Sequence, residues 1–195
     1  GKIYGIPFGA SRINILDTSD NSTSWGLDEL TGNAPTSNDT FNINPMLYKA
    51  TWFNKYRSGV LASNGCIYSH GALARSILKI DTSDDSATEI PYPQTIIDEM
   101  TNGDDTSYLT PHAASFSSVL GNDGKVYSVP WGIPYIIWID PADDSINYVN
   151  IHSTLSASGS TRFPPGQSDT RSSGNWYTFG TAVDNSIYYS SGGAD

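Results

Sequence analysis

A short fragment of this chain recurs at intervals of about sixty residues, and this repetition constrains the fold more than any other feature. Gly1-Lys2-Ile3-Tyr4 is followed by Gly65-Cys66-Ile67-Tyr68 and by Gly124-Lys125-Val126-Tyr127, and Asn185-Ser186-Ile187-Tyr188 is a degenerate further copy. Self-similarity of this kind indicates one supersecondary unit used repeatedly, in which each unit covers its apolar faces with a neighbour. The sequence therefore predicts a modular architecture.

The copies align without gaps over residues 1–22, 65–86 and 124–145. A glycine, a tyrosine, an isoleucine, two aspartates and a serine are identical in all three copies. Upstream of two copies, Gly59-Val60-Leu61 and Ser118-Val119-Leu120 match in the same register. Chance does not produce similarity of this extent, so the copies are expected to fold alike.

The middle copy reads as four short strands. A strand from Tyr56 to Ala62 is joined to one from Cys66 to Ser69 by Ser63-Asn64-Gly65, a turn typical of antiparallel hairpins. A third strand is expected at Ser76 to Ile80, and after an aspartate-rich turn a fourth at Ala87 to Ile90. The third copy repeats the pattern.

The third strands, Ile77-Leu78-Lys79-Ile80 and Ile136-Ile137-Trp138-Ile139, are apolar on nearly both faces. A strand covered on one side would alternate, so these strands should lie between two sheets. Stacked four-stranded antiparallel units are the blades of a β-propeller.

We therefore predict an all-β fold, a β-propeller of four-stranded antiparallel blades, with about three blades plus partial blades in this chain. Residues 1–195 form one propeller domain that is not a closed ring, with repeats at about 1–54, 55–113, 114–175 and 176–195. The connections are long. One short helix is expected at Gln94 to Met100, and Ser153 to Ser173 reads as an exposed loop.

Three units and two partial ones do not close a ring of four to eight blades. An uncovered blade edge is also a template for aggregation, so a partner should cover it. Two alternatives stand at this point: the remainder of a longer chain, or self-association of copies. The first is favoured.

Gly59-Val60-Leu61-Ala62-Ser63-Asn64-Gly65-Cys66-Ile67-Tyr68, followed by Ser76-Ile77-Leu78-Lys79-Ile80-Asp81, resembles a repeat of the form G-V-L-x-x-N-G-K-I-Y-x-I-P…I-L-x-I-D-P. Such repeats occur in uncharacterised propeller-like proteins of algae, bacteria and phages, which are similar in style to surface-layer propellers. The first and third copies carry Ile6-Pro7 and Val129-Pro130, whereas the second departs with His70-Gly71. The resemblance implies a propeller that is often extracellular or surface-attached, and it implies no catalytic residue.

The composition excludes several classes of partner. The net charge of −10 argues against nucleic acid and anionic membranes, and no apolar run is long enough to insert into a membrane. Only 15% of residues are charged, as in many all-β extracellular proteins. The single cysteine, Cys66, rules out an internal disulfide and reads as a passive substitution in a strand. No cofactor is predicted.

The aspartate-rich turns offer two interpretations. Asp81, Asp84 and Asp85, or their equivalents in the third copy, supply oxygen atoms of the kind that bind Ca²⁺. Aspartate and serine also favour turns because their side chains bond nearby backbone N–H groups, and we prefer this interpretation. The three histidines, His70, His112 and His152, lack metal-type spacing. No metal site is therefore predicted.

Aromatic residues on loops are the best indication of binding. Phe8 and Trp131 share one repeat position, between the second and third strands, and Tyr135 follows four residues after Trp131. Such loops line one face of a propeller, where rings can stack on sugars, although the same rings can seal blade against blade. Asn21 and Asn38 begin N-glycosylation sequons.

Three functions are weighed. The leading hypothesis is a non-catalytic extracellular or cell-surface propeller, a structural or adhesive module such as a subunit of an appendage or fibre. The second is a carbohydrate-binding propeller that uses Phe8, Trp131 and Tyr135. The third is part of a propeller hydrolase or lyase whose site needs further blades.

Overall fold

The structure, a computed structural model, describes residues 1–26, 28–30, 55–101, 113–151, 179–183 and 186–190. Among these residues the strands form antiparallel sheets that we call blades. The first blade contains β1 (Lys2–Gly5), β2 (Asn14–Asp17) and β3 (Thr23–Trp25). The second contains β4 (Val60–Leu61), β5 (Cys66–His70), β6 (Ser76–Asp81) and β7 (Ala87–Pro91). The helix α1 (Gln94–Thr101) follows.

The third blade contains β8 (Ser115–Leu120), β9 (Val126–Pro130), β10 (Tyr135–Asp140) and β11 (Ser145–Asn150). In the fourth, β12 (Phe179–Val183) pairs with β13 (Ser186–Ser190). The second and third blades are four-stranded with neighbouring strands in chain order. The predicted all-β class and the four-stranded antiparallel units are thus confirmed. The predicted repeat boundaries and the loop at Ser153 to Ser173 lie largely outside the described residues.

One strand prediction was wrong in its length. The first strand of the second blade was expected from Tyr56 to Ala62, but β4 covers only Val60–Leu61, and Tyr56 makes an isolated bridge to Gly71. Arg57 lies between the two pairings, at the repeat position where the third blade contains a β-bulge.

The turns explain the invariant glycine and the asparagine or aspartate that follows the invariant aspartates. Gly65 and Gly124 both have φ +81°, the left-handed conformation that an Asn-Gly or Asp-Gly hairpin requires. The second hairpin of each blade ends in a non-glycine residue of positive φ: Asn21, Asp85 or Asp144. Asparagine and aspartate tolerate this conformation better than other side chains.

The core lies between the blades. Ile13 and Ile15 of the first blade form one apolar cluster with Leu78 and Ile80 of the second. Ile77, on the opposite face of β6, joins a second cluster that includes Ile137 and Ile139 of the third blade and Ile96 and Met100 of α1. Successive side chains of β6 thus enter different clusters, which confirms that this strand lies between two sheets.

A polar contact also joins the first blade to the second and the second blade to the third. The Tyr4 hydroxyl of the first blade donates to Asp85 Oδ1 of the second at 2.6 Å, and Lys2 Nζ lies 2.5 Å from Asp85 Oδ2. One blade further on, the Tyr68 hydroxyl donates to Asp144 Oδ1 at 2.7 Å. We call this contact the interblade Tyr–Asp bond. Partial burial, together with the hydrogen bond to aspartate, raises the pKa of Tyr4 to about 12.

The invariant tyrosine therefore donates to the left-handed aspartate of the next blade. Lys79 Nζ completes the second contact, at 2.5 Å from Asp144 Oδ2. In the third blade Tyr127 bonds instead to Asp123 of its own hairpin, at 2.8 Å. The Lys2–Asp85 and Lys79–Asp144 ion pairs are partly open to solvent, and such pairs contribute little to folding stability. The tyrosine hydroxyl bonds and the buried apolar faces therefore contribute most of the stability of these junctions.

No helix in the described part of the chain is long and apolar enough to cross a membrane.

Candidate functional site

A continuous series of backbone hydrogen bonds joins the loops at one end of the first three blades. The N–H of Lys55 donates to the carbonyl of Phe8 at 2.9 Å, and the carbonyl of Lys55 accepts from Ala72 N–H at 2.7 Å. Ala114 N–H donates to the Ala72 carbonyl at 2.8 Å, and Trp131 N–H to the Ala114 carbonyl at 3.4 Å. The equivalent loop positions 8, 72 and 131 are thereby fixed relative to one another.

Lys55 anchors this end of the first blade. Its side chain is buried, and Nζ donates to the backbone carbonyls of Leu30 at 2.9 Å and Ala10 at 3.2 Å. Burial lowers the pKa of the ammonium group, while the carboxylates of Glu89 and Glu29 act in the opposite direction. The cation therefore has a structural role that holds the loop after Phe8 in place.

The side chains that these loops present converge on Arg57. Its guanidinium carbon lies 4.0 Å from the ring centroid of Trp131, 4.6 Å from that of Phe116 and 5.7 Å from that of Phe8. Phe116 and Trp131 also meet edge to face, with centroids 5.5 Å apart. We call these four residues the Arg57 cluster. Each cation–π contact contributes about 0.5–2 kcal/mol, depending on its exposure to solvent.

The repeat explains why these side chains meet. The β8–β9 register shifts between Ser115, which lies opposite Pro130, and Ser117, which lies opposite Val129, so Phe116 is the extra residue of a β-bulge. Arg57 occupies the equivalent position in the second blade, and Phe8 and Trp131 are equivalent to each other. The first, second and third blades therefore each contribute to the cluster.

The cluster combines a cation with aromatic rings, one of them partly exposed. Burial lowers the pKa of the Arg57 guanidinium, but a guanidinium remains protonated at neutral pH. The Phe8 ring is 48% exposed. A half-exposed ring beside a permanent cation suits a ligand that combines a flat apolar face with oxygen acceptors.

The structure brings two of the three predicted sugar-contacting residues together. Phe8 and Trp131 both lie on Arg57, whereas Tyr135 lies on β10 with its ring edge-on to Tyr148 at a centroid distance of 5.7 Å. Sequence reasoning missed Arg57 and Phe116. The repeat could have indicated them, because the alignment that matches Gly59 with Ser118 also places Arg57 and Phe116 at one repeat position.

The structure describes one of the two predicted glycosylation sites. Asn21 is exposed, with φ 60°, in the turn between β2 and β3. Asn38 lies outside the described residues.

The aspartate-rich turns are held by their own backbone. Asp81 Oδ1 accepts from the N–H and the hydroxyl of Ser83 at 2.9 and 2.7 Å, and Asp84 Oδ1 accepts from Ser86 N–H at 3.0 Å. These bonds stabilise the ionised carboxylate and lower the pKa of Asp81. The geometry agrees with the turn interpretation. Among the described residues, no group of three or more acidic, histidine or cysteine side chains is arranged to hold a metal ion.

Two reactive side chain types are buried. His70 is fully enclosed, with Nδ1 3.1 Å from Ser118 Oγ, and burial lowers its pKa to about 3. The Cys66 thiol is buried in β5, and desolvation raises its pKa. Such a thiol is poorly nucleophilic. His112 and His152 lie outside the described residues.

No protein-family model and no curated protein sequence matches the chain. Among solved structures, virginiamycin B lyase from Staphylococcus aureus aligns with 98% of this chain at a TM-score of 0.52 and 15% identity. A streptogramin B lyase structure aligns over the same share at a TM-score of 0.51 and 16% identity. This chain covers 45% of each of those chains. At such low identity the likeness establishes the β-propeller fold and nothing about activity.

Proposed function

We propose that this chain is a non-catalytic β-propeller that acts outside the cell or at its surface as an adhesive module. The observation that carries the proposal is the convergence of Phe8, Phe116 and Trp131 on Arg57 at one end of three blades. Loops on a rigid scaffold are the usual location of binding residues. Aromatic residues and arginine are also the side chains enriched at the centres of interfaces.

Several features favour binding over catalysis. The carboxylates of Asp81 and Asp84 are engaged by backbone N–H groups, the imidazole of His70 is enclosed, and the thiol of Cys66 is buried. Each of these groups is therefore occupied by a structural role. The two lyases that share the fold are enzymes, but their likeness to this chain does not extend to a reaction.

A carbohydrate is the ligand that best suits the Arg57 cluster. The exposed surface of Phe8 offers a flat apolar face for the C–H face of a sugar ring, and the positive charge of Arg57 beside it favours the oxygens of that sugar. Trp131 already has Arg57 at 4.0 Å from its ring, so we assign it to positioning the cation. Tyr135 lies at a separate location, against Tyr148.

A glycan array probed with the labelled chain tests the proposal. We expect binding to at least one sugar class, and we expect Phe8→Ala to weaken that binding by about tenfold or more, as loss of a central aromatic contact does. Leu61→Ala is the matched control, because Leu61 is also an exposed apolar side chain but lies on β4. Its affinity should equal that of the original chain.

Two results would count against this function. Absence of binding to every glycan removes carbohydrate as the ligand. Equal affinity of the Phe8→Ala variant and the original chain would place the binding surface elsewhere on the molecule.

A further inference from the structure

The two faces of a blade have different partners in this fold. We call the face that packs against the preceding blade the leading face, and the opposite one the trailing face. Leu78 and Ile80 are fully buried on the leading face of the second blade, as are Ile137 and Ile139 on that of the third. The invariant tyrosines, by contrast, act from the trailing face.

In the first blade the leading face is uncovered in the described part of the chain. Asn14 and Leu16 occupy the repeat positions of Leu78 and Ile80, so they lie on this face. Ile3 is directly opposite Leu16 in the ladder and Trp25 is opposite Asn14, so their side chains lie on the same face. Ile3 is 58% exposed and Trp25 is 61% exposed. The equivalents of Ile3 by register are covered by a neighbouring blade: Ile67 packs against the apolar cluster shared with the first blade, and Val126 is buried.

The same face carries an acceptor for an interblade Tyr–Asp bond. Asn21 occupies the repeat position of Asp85 and Asp144, and its φ of 60° matches theirs of 64° and 58°. Those aspartates accept the hydroxyls of Tyr4 and Tyr68 of the preceding blade. An asparagine side-chain oxygen accepts the same bond without the negative charge.

A matching donor lies at the other end of the chain. Tyr188 in β13 occupies the repeat position of Tyr4 and Tyr68, which places it on a trailing face, and it is 59% exposed. The described part of the chain thus holds both halves of a blade contact, a tyrosine at one end and an asparagine beside Ile3 and Trp25 at the other.

We propose that the leading face of the first blade binds a second copy of this chain, head to tail, with Tyr188 of one copy donating to Asn21 of the next. The interface would continue the stacking already present between the first, second and third blades. A contact of this kind is heterologous, so it builds a closed ring or an open filament according to the rotation between copies. A glycan on Asn21 would occupy the same surface, so docking and glycosylation at Asn21 exclude each other.

Sedimentation velocity of the full chain across the micromolar range tests the proposal. We expect the weight-average mass to rise with concentration, and we expect Ile3→Lys to abolish the rise. The fold should accept this change because Ile3 is 58% exposed. Leu61→Lys is the matched control, since Leu61 is 59% exposed in β4, and it should associate like the original chain. Trp25→Lys replaces Ile3→Lys if the latter variant does not fold.

A mixing experiment tests the polarity of the contact. Ile3→Lys and Tyr188→Ala each disable one side, so each variant alone should be monomeric, whereas an equimolar mixture should form dimers and nothing larger. The proposal is overturned if the original chain stays monomeric at all concentrations, if Ile3→Lys associates normally, or if the mixture remains monomeric. A monomer throughout would favour further blades of a longer protein as the occupant of this face.

Discussion

At the scale of single residues, His70 shows how one position can depart from its repeat. The equivalent residues are Ile6 and Val129, both apolar, yet the second blade places an imidazole in the same enclosed location. Among the described residues, its Nε2 atom has no hydrogen-bond partner, nor has the neighbouring Ser69 hydroxyl. Unpaired buried polar atoms cost about 1–3 kcal/mol each, so this location is expected to be a weak point of the core.

His70 should make stability depend on pH. Its folded-state pKa of about 3 lies below the ordinary 6.5, so below pH 6.5 the unfolded chain binds a proton that the folded chain does not. The folding stability that the neutral imidazole contributes is fully present above pH 6.5 and is lost as the pH falls toward 3. We expect the urea midpoint of the original chain to fall between pH 7 and pH 5.

His70→Val is the variant that isolates this effect, because valine fills the equivalent position in the third blade. Its urea midpoint should change less between the two pH values than that of the original chain. Equal pH dependence of the two proteins would show that another group titrates.

At the scale of elements, the hairpin turns follow from local sequence and the positions of the blade partners do not. The Asn-Gly turn at Gly65 and the β6 strand were predictable, because a dipeptide and an apolar run specify them locally. The gap in strand pairing between Tyr56 and β4 was not predictable from local sequence. Arg57 lies in this gap and contacts aromatic rings of the first and third blades. The repeat register indicated which residues are equivalent, but not which equivalents touch.

The glycines separate two kinds of constraint. Gly65 and Gly124 have φ +81° with open space around an added Cβ, so alanine at either should cost about 1 kcal/mol of stability for conformational reasons alone. At Gly71 an added Cβ would lie 2.3 Å from the Ala74 carbonyl oxygen and 2.5 Å from that of Ser76. This clash explains why the second copy departs from the Ile-Pro element.

Chemical denaturation of the three alanine variants measures the difference. We expect Gly65→Ala and Gly124→Ala to lose similar amounts of unfolding free energy, and Gly71→Ala to lose clearly more. A Gly71→Ala variant as stable as the other two would contradict the close approach of the two carbonyls.

At the scale of the whole molecule, the fold is a stack of similar sheets in which each blade is stabilised by its neighbours. Apolar clusters lie between the first and second blades and between the second and third, and an interblade Tyr–Asp bond crosses each junction. The sequence predicted the stacking because invariant positions revealed the period. It did not predict that Tyr68 and Asp144 are partners, since they belong to different copies and nothing local joins them.

The Arg57 cluster is likewise a property of the assembled blades. Phe8 and Trp131 were identified from their shared repeat position. The cation between them, Arg57, comes from a different repeat position of the second blade, which carries phenylalanine in the next copy. Tyr135, four residues after Trp131 in sequence, lies against Tyr148 instead. Proximity in sequence was therefore a poorer guide to the candidate site than equivalence in the repeat.

Double-mutant cycles across the two junctions test most directly whether the copies stack equivalently. We expect Tyr68→Phe with Asp144→Ala, and Tyr4→Phe with Asp85→Ala, each to give a favourable coupling of about 1 kcal/mol in unfolding free energy. Tyr127→Phe with Asp144→Ala is the control, because Tyr127 bonds to Asp123, and its coupling should be near zero. Additive effects at both junctions would contradict the stacking of these blades.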